Sequence, residues 1–326
     1  MLPARGGGET AWVRRLCVLH HRWEEWVPAL REAEPRLEIR GWHPRDANAA
    51  DSEWLAGAEG LFCWRIPAGF LARMPALAWV QNSGAGVDHL LADPSIPADV
   101  PITRADGEFG YWMARYVLAH LLQDAQRIDE CRAAQAQCAW NPKLIPEDLW
   151  RERALVLGFG RIGRRIGCAL RAIGMDVTGI VRTPRLDPEF PLATAAELPG
   201  LLADARLLVL AAPSLPSTRG MIDGPLLAHG TARLLVINVG RGDLLDTDAL
   251  LLALDRGSVG RAVLDVFPEE PLAKESRLWS HPRVSVTPHH SGPSTPRAML
   301  PDILDNLRRF AEGRPIEGGV DRERGY

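Results

Sequence analysis

The chain has 326 residues, 46% of them hydrophobic, which is enough for two domains of ordinary size with buried cores. The formal net charge is −3 and no basic stripe is present, so a nucleic-acid partner is not expected. No apolar run has the length of a membrane span or of a signal-peptide core. This pattern predicts a cytoplasmic protein without a membrane partner.

Five cysteines occur at positions 17, 63, 131, 138 and 168. They form no CxxC pair and no cluster with histidines that could hold a metal ion. Their odd number and loose spacing predict reduced, buried thiols and no metal site.

The first part of the chain alternates strand-like and helix-like runs. The predicted strands are Arg15–Leu19, Leu37–Gly41, Gly60–Trp64, Ala78–Asn82 and Ile102–Arg104. The predicted helices between them are Glu24–Glu32, Gly69–Arg73 and Val87–Ala92. Such alternation predicts a parallel sheet with helices on both faces. A long helical segment follows, from about Glu108 to Gln137, and could join two domains; a loop with two prolines, residues 141–148, comes after it.

The alternation then restarts with greater regularity. The predicted strands are Ala154–Leu157, Val177–Val181, Leu207–Ala211, Leu234–Val239, Ala262–Val266 and Val284–Thr287. Helices are predicted at Ile162–Ile173, Leu198–Ala203 and Asp248–Asp255. The strands are rich in Leu and Val and nearly free of charge, as strands buried on both faces are. A last predicted helix, Pro296–Glu312, could return to the first domain.

Ionisable side chains follow three of these strands, within residues 238–243 (NVGRGD), 265–271 (DVFPEEP) and 287–290 (TPHH). The carboxyl ends of parallel strands form the edge where ligands bind. An arginine, a carboxylate and a histidine at one such edge can bind an anionic substrate and move a proton beside it. The motifs therefore indicate an enzyme.

A glycine-rich turn directly follows the strand at 154–157 and opens a helix. Its residues are Gly158, Phe159, Gly160, Arg161, Ile162 and Gly163. A GxGxxG sequence between a strand and a helix is typical of dinucleotide binding, because its backbone can approach a pyrophosphate at the helix N-terminus.

The next strand should end in an acid if the cofactor is NAD, because an acid binds the ribose 2′-hydroxyl. This chain has Arg182 at that place, followed by Thr183 and Arg185. A guanidinium attracts a 2′-phosphate, so NADP(H) is predicted over NAD(H), with NAD still possible. The alternative is that both arginines are solvated loop residues.

Together, these motifs resemble the D-isomer-specific 2-hydroxyacid dehydrogenases, most clearly between Gly158 and Gly292. Residues 82–88 (NSGAGVD) are similar to that family's substrate-carboxylate loop. Within the family, the chain is similar to the bacterial A-type glyoxylate/hydroxypyruvate reductases. The support is a Trp-rich first domain, Arg182 and the ending Asp321–Tyr326.

The resemblance implies three catalytic residues. Arg241 would hold the carboxylate and carbonyl of a 2-keto acid. His289 would donate a proton to the carbonyl oxygen, and Glu270 would pair with its ring. An unperturbed imidazole has a pKa of about 6.5, so a carboxylate neighbour helps to keep it charged. Glu269 and His290 are the competing candidates, and the family pattern favours Glu270 and His289.

The resemblance also implies binding residues. Asp265 would face the nicotinamide carboxamide, although a helix N-cap is the alternative. The implied cofactor contacts further include Ala211, Ala212, Pro213, Asn238, Val239, Gly240 and Gly292. The backbone N–H groups of Ala85 and Gly86 would bind the substrate carboxylate. Trp42 and Arg65 are candidates for the wall of the substrate pocket, and the alternative for both is ordinary packing. One departure is Arg115, where many relatives carry glutamate after alanine.

The expected architecture is α/β, with two Rossmann-like domains, flavodoxin-like and NAD(P)-binding, each with a parallel sheet, and an interdomain cleft. Residues 1–118 with 292–326 would form the substrate-binding domain, and 119–291 the NAD(P)-binding domain. The expected function is NADPH-dependent reduction of glyoxylate, hydroxypyruvate or a similar 2-keto acid to the D-2-hydroxy acid by a homodimer. The alternatives are another 2-hydroxy acid, such as phosphoglycerate or a branched acid, and a non-catalytic dinucleotide-sensing interaction protein.

Overall fold

A computed structural model describes residues 13–105, 108–323 and 325. The chain divides into two compact units, Met1–Glu108 with Ser294–Tyr326 and Phe109–Pro293. Residues 1–12 of the expected first domain, and Arg324 and Tyr326 of the terminal sequence, lie outside the described residues.

The first unit contains a five-stranded parallel sheet. Its strands are β1 (Arg15–Leu19), β2 (Glu38–Trp42), β3 (Gly60–Cys63), β4 (Trp79–Asn82) and β5 (Ile102–Arg104), in the order β2-β1-β3-β4-β5. Its first helices are α1 (Trp23–Ala33), α2 (Ser52–Ala56) and α3 (Asp88–Leu91). Short 3-10 turns occur at Pro44–Ala49 and Leu71–Arg73. Every residue of β3 and β4 is buried, which explains why these runs carry no charge.

The second unit contains a seven-stranded parallel sheet. Its strands are β6 (Arg153–Leu157), β7 (Asp176–Val181), β8 (Leu192–Thr194), β9 (Ala205–Leu210), β10 (Leu235–Asn238), β11 (Arg261–Leu264) and β12 (Val284–Val286). Its helices are α4 (Phe109–Ala125), α5 (Ile128–Ala136), α6 (Arg161–Ala172), α7 (Leu198–Leu202), α8 (Gly224–Leu227) and α9 (Thr247–Arg256). Short 3-10 turns occur at Ala195–Glu197, Gly242–Leu244 and Arg277–Trp279. The last helix of the chain, α10 (Pro296–Ala311), belongs to the first unit.

The second sheet has the order β12-β11-β10-β9-β6-β7-β8 and separates two apolar cores. Along β6, Leu155 and Leu157 enter one core while Ala154 and Val156 enter the other. This follows from the alternation of side chains along a strand. From β6 the chain continues to β7 on one side and later returns to β9 on the other, so strand order reverses beside the glycine-rich turn. Dinucleotides bind at such a reversal point.

The segment after the first sheet differs from expectation in one respect. The single helix predicted from about Glu108 to Gln137 is two helices, α4 and α5, because Arg127 has a left-handed backbone with φ of 52°. The second compact unit begins at Phe109, the first residue of α4. Val117 and Leu121 of α4 share a core with Ile166 of α6, so the whole helix packs within the second unit.

The shorter features also differ from expectation. The helix predicted at Gly69–Arg73 is only the 3-10 turn at Leu71–Arg73. Strand β8 and helices α2 and α8 were not predicted from the sequence. All five cysteines are free thiols, but Cys131 and Cys138 are exposed, whereas burial was expected. No helix among the described residues is both long and apolar enough to span a membrane.

Candidate active site

Three glycines shape the turn between β6 and α6, each for a different reason. Gly158 has φ of 90°, and a Cβ there would lie 2.5 Å from the backbone nitrogen of Ala212. At Gly163 a Cβ would lie 2.2 Å from the carbonyl oxygen of Gly158. At Gly160 a Cβ would meet no atom of the described residues within 4 Å. The first and third glycines are therefore required by the fold, and the second borders open space.

That open space lies at the N-terminus of α6, where Gly160 is the N-cap residue and provides no side-chain cap. The first N–H groups of a helix need acceptors from outside the helix, and a phosphate is a suitable one. The turn therefore fits the pyrophosphate of a dinucleotide, with Gly160 leaving room for it.

The end of β7 carries positive charge. Arg182 follows the strand directly and, like Thr183 and Arg185, is exposed. The Arg185 guanidinium donates a 2.7 Å hydrogen bond to the carbonyl oxygen of Phe159, within the glycine-rich turn. The acids further along the loop, Asp187 and Glu189, both pair with Arg164. Consequently, residues 182–185 present guanidinium groups and no carboxylate beside the turn.

The loops after β9 and β10 lie next to the same turn. Gly158 lies against the backbone of Ala211 and Ala212, since a Cβ there would be 2.7 Å from the carbonyl carbon of Ala211. A Cβ at Gly240 would lie 2.8 Å from the carbonyl oxygen of Ala212. Residues 211–213 and 238–240 thus lie along the carboxyl edge of the sheet, where backbone contacts with a dinucleotide were expected.

Asn238 shapes the loop that carries Arg241. Its side chain is buried at the end of β10, where Nδ2 donates to the carbonyl oxygen of Arg241 at 2.9 Å and Oδ1 accepts the N–H of Gly240 at 3.1 Å. The Arg241 guanidinium donates to the carbonyl oxygen of Gly240 at 2.9 Å. The side chain of Asn238 therefore has a structural role, in addition to the expected backbone contact.

Gly242 brings the Arg241 loop against the loop after β11. A Cβ at Gly242 would lie 1.9 Å from the carbonyl carbon of Phe267 and 2.2 Å from the nitrogen of Pro268. No other residue allows this approach. The backbone contact brings the segment that carries Arg241 close to the segment that carries Glu270.

Glu270 and His289 form a hydrogen-bonded pair. Nδ1 of His289 lies 2.9 Å from Oε2 of Glu270, and Oε1 of Glu270 accepts the N–H of Phe267 at 3.1 Å. The side chains of both are about one third exposed, at 34% and 29%. Glu270 therefore engages the Nδ1 side of the imidazole and fixes the orientation of the ring. Glu270 is thus the carboxylate that pairs with His289, whereas Glu269 makes no such pair.

Burial by itself raises the pKa of Glu270, but the hydrogen bond and charge of His289 outweigh it. The N–H of Phe267 and the charge of Arg241 act in the same direction, so the pKa of Glu270 lies below its usual value. The group is therefore an ionised carboxylate at neutral pH. Such a neighbour favours the protonated form of an imidazole and fixes its ring orientation.

Asp265 is fully buried and holds the histidine segment. Its Oδ1 accepts the Thr287 hydroxyl at 2.6 Å and the N–H of His290 at 2.9 Å, and Oδ2 accepts the N–H of Ser291 at 2.9 Å. Its carbonyl oxygen accepts the N–H of His289 at 2.9 Å. Burial raises the pKa of Asp265, and these hydrogen bonds lower it further than burial raises it. It caps no helix, and a contact with the nicotinamide stays a prediction.

Tyr116 extends this network from α4. Its hydroxyl lies 2.7 Å from Oγ1 of Thr287, which donates its own hydrogen to Asp265, so Tyr116 is the donor. Burial raises the pKa of Tyr116, which keeps this donor protonated. The sequence provided no signal for Tyr116, because it is far from residues 265 and 287 along the chain.

The first unit places the expected substrate residues after its own strands. Ala85 and Gly86 lie in the loop after β4 and are half-buried. Arg65 is exposed just past β3. Trp42 ends β2 and packs on Trp54 with ring centroids 5.7 Å apart, which accounts for its burial by packing alone. Contacts of these four residues with a substrate stay predictions.

Comparison with known proteins identifies the family. Residues 118–291 match the model of the D-isomer specific 2-hydroxyacid dehydrogenase NAD binding domain. The chain is 33% identical to the glyoxylate/hydroxypyruvate reductase A of Serratia proteamaculans, over 93% of this chain and 96% of that protein. The chain belongs to the D-isomer-specific 2-hydroxyacid dehydrogenase family. The predicted family is confirmed, as is its nature as an NAD(P)-dependent oxidoreductase.

Solved members of the family have the same architecture. A dehydrogenase from Xanthobacter autotrophicus, in complex with NADPH and MES, matches with a TM-score of 0.87 and 36% identity, over 96% of this chain and 100% of that one. An NADPH-dependent glyoxylate/hydroxypyruvate reductase from Sinorhizobium meliloti, in complex with NADP and sulfate, matches with a TM-score of 0.86 and 30% identity, over 96% and 99%. The predicted fold of two parallel-sheet α/β domains is confirmed.

Packing on α4 accounts for two further residues. Arg115 is exposed, and its guanidinium lies over the ring of Trp112 at 5.5 Å. At Gly292, a Cβ would meet Met113 and Phe109 at 2.9 Å. Packing against α4 therefore explains this glycine, and a cofactor contact there stays a prediction.

Proposed function

We propose that the protein reduces a small 2-keto acid of the glyoxylate or hydroxypyruvate type to the D-2-hydroxy acid with NADPH. The main support for the proposal is the hydrogen-bonded pair of His289 and Glu270, with 2.9 Å between Nδ1 and Oε2. The loop that holds Glu270 packs against the loop that holds Arg241. An imidazole that can donate a proton and a guanidinium suit a substrate that is an anion and must gain a proton. Relatives named glyoxylate/hydroxypyruvate reductase support the same substrate class.

In this proposal, when bound, the dihydronicotinamide supplies a hydride to C2 of the keto acid. Nε2 of His289 donates a proton to the carbonyl oxygen, and the Glu270 carboxylate stabilises the imidazolium before transfer. Arg241 holds the carboxylate and carbonyl oxygens with its planar guanidinium. Ala85 and Gly86 offer N–H groups to the substrate carboxylate. In the oxidative direction the same histidine accepts the proton.

The glycine-rich turn, residues 158–163, would hold the pyrophosphate, and Arg182 and Arg185 would hold the 2′-phosphate of NADP(H). The guanidinium-rich end of β7 supports this preference, since it lacks the acid that binds a ribose 2′-hydroxyl. The complexes of the Xanthobacter and Sinorhizobium relatives with NADPH and NADP agree with it.

A steady-state screen of about a dozen 2-keto acids with NADPH and with NADH tests the proposal. We expect the highest kcat/KM for glyoxylate or hydroxypyruvate with NADPH. A best substrate with a branched or phosphorylated side chain would contradict the substrate class, and equal or better kcat/KM with NADH would contradict the cofactor preference. Lack of turnover with every acid would favour a non-catalytic role.

A homodimer is part of the proposal. The segment after α5 exposes large apolar side chains, with Trp140 94% exposed and Ile145 and Trp150 also in solvent. A second copy of the chain could cover this surface, since exposed apolar patches mark association sites. Sedimentation of the wild-type protein and of Trp140→Glu tests this, and a monomeric wild type would contradict it.

A further inference from the structure

The loop between β4 and α3 is held by one buried side chain. Asn82 is fully buried at the end of β4. Its Nδ2 donates to the carbonyl oxygen of Gly84 at 2.9 Å and to that of Gly86 at 2.8 Å. Both amide hydrogens are therefore used on two carbonyl groups of the same short loop.

The orientation of the Asn82 amide follows from chemistry. If the amide were flipped, Oδ1 would face two carbonyl oxygens, and three acceptors would oppose each other. In the orientation found, Oδ1 is buried and has no hydrogen-bond partner among the described residues. A buried acceptor without a partner is unfavourable, so Asn82 is not the residue that stability alone would select.

Holding these carbonyls inward turns amide groups outward. The peptide between Gly84 and Ala85 is trans, so its N–H points opposite to its C=O. Since the Gly84 oxygen faces the buried Asn82 amide, the N–H of Ala85 faces away from it. Within residues 13–105, 108–323 and 325, nothing accepts a hydrogen bond from the N–H of Ala85 or Gly86. The loop thus presents unpaired donors.

The surroundings keep the loop in this form. A Cβ at Gly84 would lie 2.3 Å from the ring of Trp64, so the loop packs tightly against that side chain. Nε2 of Gln81 donates to the carbonyl oxygen of Asn82 at 3.0 Å. The hydroxyl of Ser294 donates to the carbonyl oxygen of Ser83 at 2.6 Å. The donors are therefore in place before any ligand arrives, which lowers the entropic cost of binding.

We propose that Asn82 is a positioning residue for the substrate carboxylate: it keeps the Gly84 carbonyl inward, so that the N–H of Ala85 faces outward to the anion, and it holds the Gly86 carbonyl away from the anion. The inference rests on the proposed function, in which Ala85 and Gly86 bind that carboxylate. Without the Asn82 amide, either carbonyl could rotate outward and place a partial negative charge against the substrate. Asn82 therefore acts on substrate binding and has no part in cofactor binding or proton transfer.

The test uses Asn82→Leu, which has a similar shape but no donor, and Asn82→Asp, which replaces the donor by acceptors. The matched control is Asn306→Ala. Asn306 is a buried asparagine of the same unit that bonds Gln81 and Glu317 but not the loop. The measurements are kcat and KM for glyoxylate and hydroxypyruvate, the Kd for NADPH by fluorescence titration, and Tm.

We expect both Asn82 variants to raise KM for both acids by about tenfold or more, with kcat within about threefold and the NADPH Kd unchanged. Because the two acids share only the keto-carboxylate group, their KM values should rise by the same factor. Asn306→Ala should lower Tm and leave KM unchanged. KM values within about twofold of wild type in folded Asn82 variants would overturn the inference, as would an equal rise in Asn306→Ala.

If the Asn82 variants do not fold, Ser294→Ala replaces them. Ser294 is half-buried, so loss of its hydroxyl frees the Ser83 carbonyl without opening a large cavity. Because Ser294 holds the same loop, we expect KM of this variant for both acids to rise about two- to fivefold. An unchanged KM would show that the position of the loop does not control substrate binding, and this would overturn the inference. Failure of the proposed function can be distinguished from failure of this inference, because in that case the wild-type protein itself would not turn over either acid.

Discussion

Both carboxylate oxygens of Glu270 are engaged, Oε2 by Nδ1 of His289 at 2.9 Å and Oε1 by the N–H of Phe267 at 3.1 Å. The carboxylate is thus fixed in place and in turn fixes the ring of His289. This relationship joins a residue after β11 to one after β12, two neighbouring strands of the second sheet.

Glu270→Gln should lower kcat for keto-acid reduction by about 100-fold, because positioned acid–base groups contribute about 10²–10⁴ in rate. The amide keeps the shape of the side chain but not its charge, so it pairs with the ring of His289 less strongly and holds it in place less firmly. Glu269→Gln is the matched control, and an equal effect of that change would contradict the assignment.

His289→Ala should nearly abolish turnover while NADPH still binds, because the imidazole is the proposed proton donor and is not part of the glycine-rich turn. Steady-state assays and fluorescence titration measure the two effects. His290→Ala is the neighbouring control and should retain most activity, since it is the backbone N–H of His290 that bonds Asp265. Near-wild-type turnover in His289→Ala would contradict the proton-donor role.

Gly160→Ala and Gly158→Ala should have opposite effects. A Cβ at Gly160 meets open space, so Tm should not change, but the methyl group would occupy the place proposed for the pyrophosphate and raise the NADPH Kd about tenfold or more. Gly158 has a positive φ and no room beside Ala212, so its replacement should cost about 1–3 kcal/mol or more of folding free energy. Calorimetry measures the effect on stability, and cofactor titration measures the effect on NADPH binding. Tight NADPH binding by Gly160→Ala would contradict the proposed position of the pyrophosphate beside Gly160.

Arg182→Ala should lower kcat/KM with NADPH about tenfold and leave kcat/KM with NADH nearly unchanged, because only NADPH carries the 2′-phosphate. Arg185→Ala should have the same selectivity, with an added effect on the turn because Arg185 also bonds Phe159. Arg256→Ala, at an exposed site at the end of α9, is the control. An equal loss with both cofactors would contradict recognition of the 2′-phosphate.

Asp265→Asn should destabilise the protein by about 1–3 kcal/mol at pH 7, because an amide cannot accept all of the hydrogen bonds that the carboxylate accepts. The pKa of Asp265 is lowered in the folded state, so this carboxylate stabilises the fold above its unfolded-state pKa of about 3.9. That contribution is lost as the pH falls through the folded-state pKa.

The gap in unfolding free energy between wild type and Asp265→Asn should therefore narrow in acid. Denaturant unfolding between neutral pH and about pH 3 measures it. Asp248→Asn, at an exposed position of α9, is the control and should show a small effect at every pH. A gap that is constant with pH would contradict the role of the ionised carboxylate.

Local pattern was sufficient to predict most of the architecture. Strand β1 lies at Arg15–Leu19 and β5 at Ile102–Arg104, as predicted, because short apolar runs bounded by turn residues reflect burial directly. The glycine-rich turn could be predicted because its three glycines lie within six consecutive residues, 158–163. The family motif also pointed to His289 and Glu270, which are only 19 residues apart and follow neighbouring strands.

The tertiary structure alone decided three other features. The break at Arg127 follows no glycine or proline, so no sequence pattern marked it. The carboxylate of Asp265 holds residues 287–291, and this contact depends on the path of the loop after β12. In the sequence, Asn82 is only the first residue of a loop motif, and the motif does not predict what its side chain contacts. Its two bonds to glycine carbonyls exist because the backbone turns back over its own strand end, and backbone direction in a loop depends on packing rather than on residue periodicity.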